Sequence, residues 1–506
     1  MRGLRRSPPK PILAPGDLSP RTPSDSPSAG PCPPLSGVAH MPTLRPALRL
    51  LPVAVLLGSI TLPASIQSQE PGFVPHESEA PARYHTFPPL RELAAEQQAW
   101  VEERVTEVIP RLMREYGVSM WVISQREYAE DPVFFSITSP TTFAARRRSI
   151  YVFHDRGQDE GVERIALGGT AQGGIYTIYR SERPAPTGGD AELWGDEQWR
   201  LFRELVEERD PDNIVLNIDE EHAFADGLHA GEREALERAL GPYADRVERE
   251  PRLAIDYIAH RIPAMMPRYR QMMETVHAMI SEAFSNAVIE PGVTTTDDVV
   301  WWFREKIREM GMTTWFQPSV SVQRAGDLPA SGPVVIERGD LVWTDVGLDF
   351  MGLTTDTQHN GYVLREGETG VPAGLQACLA VSNRMQDLLL EEMEPGRTGN
   401  EILASTLARM EEEGINGTVY THPIGDHGHG AGPLIGRWDA QEGVPVRGDV
   451  VLRPSTWHSI ELQATVPIPE WDDKEVSCRQ EEEAYLDEAG ERHWVFRRQE
   501  QFHLVW

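Results

Sequence analysis

Cysteine and lysine are both scarce in this 506-residue chain. There are three of each: Cys32, Cys378 and Cys478, and Lys10, Lys306 and Lys474. Three cysteines cannot build the lattice of a small disulfide-stapled scaffold. The lysine deficit is made up by 45 arginines (48 − 3), which reads as codon usage in a GC-rich genome. Positive charge as a whole is short, with 48 basic against 78 acidic residues and a net charge of −30. Nucleic acid and anionic membranes are excluded as main partners, because both need a cationic face. No 20–50-residue repeat marks a solenoid. Also absent are His-Glu-x-x-His, the Gly-x-Ser-x-Gly elbow, a phosphate loop and Cys-x-x-Cys. What is present, 40% hydrophobic and 8% aromatic residues, suits a folded chain too long for one core.

Ten of the 41 prolines fall in residues 1–40, which read as a non-folding upstream segment. Residues 41–69 then open with Met41, carry Arg45 and Arg49 ahead of the apolar run Leu50–Pro63, and close on small and polar residues. That is the layout of a secretory signal peptide, with Met41 the expected start, and the run is too short for a membrane span. Removal of residues 1–69 takes away seven basic and two acidic residues, leaving −30 − (+5) = −35 on the exported part. The expected product is periplasmic or extracellular, with no stable membrane insertion after cleavage. Cys378 and Cys478 could pair in an oxidising compartment, and the sequence does not decide it.

Residues 81–252 alternate helical and strand-like pieces and are expected to form an α/β domain. Leu90–Tyr116 has helical spacing and stops at Gly117, while Val118–Ser124, Ser149–His154 and Asn213–Ile218 read as buried strands. Residues 253–506 form a second unit. It starts with an amphipathic helix over 268–288, then Thr295-Thr-Asp-Asp298 caps a helix running to Met310. Strands are expected at Asp340–Asp345, Gly361–Leu364, Asp449–Leu452 and Ser459–Gln463.

The second unit places acids inside apolar strands. Asp345 follows Leu341-Val-Trp343, Asp356 lies eleven residues on, Glu461 sits in Ser-Ile-Glu-Leu, and Glu481 in Arg-Gln-Glu-Glu-Glu. His422, His427 and His429 lie between them. An unpaired carboxylate in a buried strand is costly, so such acids meet a cation or a metal. Four carboxylates and one imidazole suit two divalent ions, Mn²⁺ first, with Zn²⁺, Fe²⁺ or Co²⁺ as alternatives. Two such ions sharing a water can activate it for amide hydrolysis.

Asp345-x10-Asp356, His429-x-x-Gly432, Glu461 and Glu481 resemble the five-ligand signature of the pita-bread metallopeptidases, which include Xaa-Pro aminopeptidase, prolidase, methionine aminopeptidase and creatinase. The resemblance covers about 253–506, and residues 81–252 look like the N-terminal domain of the aminopeptidase P branch. It implies an α/β domain followed by an α+β pita-bread catalytic domain, and a homodimer. Asp356 and Glu481 would bridge two metals, with Asp345 on one and His429 and Glu461 on the other. A bridging hydroxide would attack, and Glu461 would shuttle the proton. Three departures stand out. Gly436 occupies the place of the histidine expected seven residues after the ligand. Leu328-Pro-Ala-Ser331 lacks an upstream histidine, and Gln358-His359 replaces Thr-Arg. His422, His427 or His359 is expected to take over substrate hydrogen bonding. The leading reading is an Xaa-Pro aminopeptidase-like or prolidase-like hydrolase of a small peptide or amide. The alternatives are an amidase on a non-proline or non-peptide substrate, and a non-catalytic binding module of the same fold.

Overall fold

The computed structural model describes residues 80–180, 195–329 and 331–506; the upstream segment and signal peptide expected over 1–69 lie outside them. The described residues form one compact unit. No helix among the described residues is long and apolar enough to cross a membrane.

The first sheet is built from β1 (Met120–Arg126), β2 (Arg148–Asp155), β3 (Val162–Leu167), β4 (Thr177–Ile178), β5 (Ile214–Leu216) and β6 (Val247–Glu248), in the order β4-β3-β2-β1-β5-β6. Helices Gly195–Arg209 and Ala230–Leu240 lay Leu201, Phe202, Leu205, Leu236 and Leu240 against Met120, Val122 and Ile150. The expected helix after Leu90 runs to Glu115, with one π-helical turn at Arg104–Val108.

The second sheet has nine strands: β7 (Ser319–Gln323), β8 (Leu341–Val346), β11 (Thr357–Val363), β12 (Gly417–Val419), β13 (His422–Ile424), β14 (Thr456–Ile468), β15 (Lys474–Leu486), β16 (Arg492–Trp494) and β17 (His503–Val505). The short pair β9 (Asp349–Phe350) and β10 (Leu353–Thr354) forms the hairpin between β8 and β11. The central path runs β12-β14-β15-β11-β8-β7. Helix Met266–Ala283 and the capped helix Thr296–Glu309 supply Met272, Val276, Met279, Val299 and Phe303 to the core shared with Val342 and Val346. Together these elements are an α/β N-terminal domain followed by a pita-bread catalytic domain.

Two expectations of secondary structure change. Asp449–Leu452 is no strand: Arg447–Asp449 is a 3-10 turn and Val451 makes one isolated bridge to Thr398. Helices Ala373–Glu392 and Gly399–Glu412 interrupt a region read as strand-rich, the second opened by a Thr398–Glu401 capping box. Cys378 of the first of these helices is disulfide-bonded to Cys478 of β15.

Candidate metal centre

The centre is assembled by strand register. Across the sheet Asp345 of β8 pairs with Gln358 of β11, Gln358 pairs with Glu481 of β15, and Glu481 pairs with Glu461 of β14. Residues directly opposite in neighbouring strands project to the same face, so the four side chains form one row. Asp356 immediately precedes β11, and its backbone N–H donates to Glu483 Oε1 at 2.5 Å. β13 pairs with β14 so that His422 lies opposite Ser459. This puts His422 Nε2 at 3.2 Å from Glu481, 3.7 Å from Asp356 and 4.0 Å from Glu461.

Ligand-capable atoms converge in overlapping groups: Asp345, Asp356 and Glu481; His422, Glu461 and Glu481; and Asp356, His422 and His429. The first two groups share Glu481. Burial, then the charge of Glu481, pushes the Asp345, Asp356 and Glu461 carboxyls well above the usual carboxylate range. Oδ1 of Asp345 and Oδ1 of Asp356 are buried with no hydrogen-bond partner among the described residues. Crowded carboxylates with unpartnered inward oxygens fit divalent cations, which satisfy those lone pairs and cancel the mutual repulsion.

His429 lies at the rim. Burial, then neighbouring His422, lowers its imidazole to about 4, leaving it neutral at physiological pH. Its ring stands 5.1 Å from that of Trp315, whose indole N–H donates to Thr355 O at 2.9 Å. The loop between His422 and His429 is anchored by Asp426, which receives Arg104 Nη1 at 3.0 Å and Arg261 Nη1 at 2.5 Å. Burial opposes ionisation of Asp426, yet the two guanidiniums hold its carboxyl down to about 2.

Asp345, Gln358 and Glu461 of the row line a cavity of about 450 Å³ together with Trp343, Tyr420 and Trp438. Trp438 is 74% exposed. These aromatics were not singled out by sequence, although Trp343 and Tyr420 alternate in step with Asp345 and His422.

The structure therefore brings Asp345, Asp356, Glu461, Glu481 and His422 together, with His429 beside them. His427 and His359, expected to face the substrate, do not reach the cavity. His427 packs at a tilt against Phe224, with ring centroids 5.0 Å apart. His359 follows Gln358 in an extended strand, so its side chain points to the opposite face, where Nε2 lies 2.7 Å from Glu482.

A sheet-borne cluster of acids and imidazole within this fold has the donor set of a metal centre. Residues 268–488 match metallopeptidase family M24. A search of curated protein sequences returns no match. Among solved structures, the chain is similar to an X-Pro aminopeptidase from Thermotoga maritima, with 15% identity and a TM-score of 0.55, covering 78% of this chain and all of that one. It is similar to an Xaa-Pro dipeptidase from Bacillus anthracis, with 16% identity and a TM-score of 0.54, covering 80% of this chain and 99% of that one. A dipeptidase from Pyrococcus horikoshii gives 15% identity and a TM-score of 0.53, covering 80% of this chain and all of the other. At these identities the likeness establishes the fold.

Proposed function

We propose that this metallopeptidase is an exported exopeptidase with two divalent ions, acting on short peptides in the manner of an Xaa-Pro aminopeptidase or prolidase. The observation that carries the reading is the pair of ligand groups sharing Glu481. Asp345, Asp356 and Glu481 would hold one ion, and His422, Glu461 and Glu481 the other. His422 thereby takes the ligand role expected of His429. His429 stands seven residues later (429 − 422), where the family's histidine after the ligand belongs.

Two divalent ions held by these residues would supply an acidified water and Lewis-acid stabilisation of charge on the carbonyl oxygen. Glu461, which lines the cavity, takes the proton released there and delivers it to the leaving nitrogen. Neutral His429 at the rim hydrogen-bonds the substrate, and Trp343, Tyr420 and Trp438 shield it from water. Mn²⁺ is the first choice of metal, because four carboxylates and only one imidazole make up the donor set.

The test is metal analysis followed by a dipeptide and tripeptide panel with Mn²⁺, Zn²⁺ and Co²⁺. Metal-dependent release of the residue before proline is expected. Turnover without preference for proline would leave a general amidase, and a purified protein that neither binds nor needs metal would leave a binding module. Detection of the cleaved chain outside the cytoplasm checks export.

A further inference from the structure

A second ligand-capable group lies on the other face of the strands that carry the row. Glu482 follows Glu481 in β15 and therefore points away from the cavity. Its Oε2 lies 2.9 Å from Nε2 of His277, on helix Met266–Ala283, and its Oε1 lies 2.7 Å from Nε2 of His359. The three side chains come from sequence-distant elements, and all are buried. Their ligand atoms fall within 4.8 Å of one another.

Around this group is a supporting shell of the kind that fixes metal ligands. His359 uses its other nitrogen, Nδ1, to meet His503 Nε2 at 3.0 Å, which orients the ring and sets its tautomer. The backbone N–H of Gln499 donates to Glu482 Oε1 at 2.9 Å. Phe496 packs edge-on against the His277 ring at 5.1 Å, closing that side with apolar surface. Hydrogen bonds alone could pair the carboxylate with two imidazole N–H groups. Two Nε2 atoms aimed at the two oxygens of one carboxylate are equally the donor set of a borderline cation such as Zn²⁺.

We propose that His277, His359 and Glu482 hold one further divalent ion of the zinc type, structural in role and distinct from the pair at the carboxylate row. It ties helix Met266–Ala283 to β11 and β15, directly behind Gln358 and Glu481.

The test is a crystal of the intact protein prepared with Zn²⁺, measured on both sides of the zinc absorption edge, with metal counted per chain in solution. An anomalous peak among His277, His359 and Glu482 is expected, and the count should be one equivalent above that of the row. The H277Q/H359Q variant should lose that one equivalent and keep the others. The D356N/E481Q variant should lose the row's metal and retain one equivalent. No anomalous peak at the three residues in the unaltered protein overturns the proposal and leaves a hydrogen-bonded network. That measurement needs no variant to fold, and it is read whether or not peptides are cleaved.

Discussion

Gln358 Nε2 donates to Glu461 Oε1 at 2.5 Å and to Glu481 Oε2 at 2.7 Å, from a strand position flanked by Asp345 on one side and Glu481 on the other. The amide thus supplies both its hydrogens to the row, at the position where family members are expected to carry threonine. Without metal, these two hydrogen bonds are part of what makes the crowded acids tolerable. Gln358→Ala removes both, at a cost of about 2–3 kcal/mol for bonds to buried acidic groups. With metal bound, the cations take over that task. The melting temperature of the variant should therefore fall more in chelator than in saturating Mn²⁺. Equal shifts in both conditions would show that Gln358 does not offset charge in the row.

His422 and His429 should separate by phenotype. His422 Nε2 touches three carboxylates of the centre, so His422→Ala should release metal and abolish turnover together. His429→Ala should leave metal content close to that of the parent while lowering kcat by about 10²–10⁴, the range for a lost acid–base or hydrogen-bonding group. Metal analysis beside a peptide assay checks both. Loss of metal from His429→Ala with its retention in His422→Ala would reverse the assignment.

The histidine register also shows what the sequence could and could not convey. His422-Pro-Ile-Gly425 and His429-Gly-Ala-Gly432 both read His-x-x-Gly, so the motif alone does not choose between them. Only the pairing of β13 with β14 brings His422 to Glu481. The signal that could have resolved it was the seven-residue spacing between the two. By contrast, Asp345, Asp356, Glu461 and Glu481 were legible because acids inside apolar strands are expensive without a partner. The Thr295–Asp298 cap was legible because a capping box is local. Asp449–Leu452 misled because a short apolar run carries no period of its own, and its pairing depends on neighbours distant in sequence. Trp438 gave no signal, since an exposed indole at a cavity rim is defined by the cavity.

Cys378 and Cys478 close a separation of 100 residues, joining helix Ala373–Glu392 to β15 three residues before Glu481. A link over a loop of that length restricts the unfolded chain, and its removal costs about 2–4 kcal/mol. The C378A/C478A variant should unfold at lower denaturant concentration, and the parent should match it once fully reduced. An unchanged midpoint after verified reduction would show that the link contributes nothing to stability.

His458 offers a cleaner test of acid sensitivity. It is fully buried in β14, and neither ring nitrogen has a hydrogen-bond partner among the described residues. Burial first, and then His422, lower its imidazole to about 3. In the unfolded chain the same ring titrates near its ordinary value of about 6.5. Between those two values the unfolded state binds a proton that the folded state does not. Stability contributed by the neutral ring is therefore complete above about pH 6.5 and is lost progressively as pH falls toward 3. At pH 4.5 the loss amounts to about 3 kcal/mol, from roughly two pH units below the unfolded value. The raised carboxyls of the row act in the opposite sense, so only a difference between variants isolates this residue. His458→Met keeps a similar volume and removes the titrating ring. Its midpoint in denaturant should drop less than that of the parent between pH 7.5 and pH 4.5, with metal content at pH 7.5 unchanged. Parallel losses in the two proteins would mean that His458 is protonated, or hydrated and partnered, in the folded state.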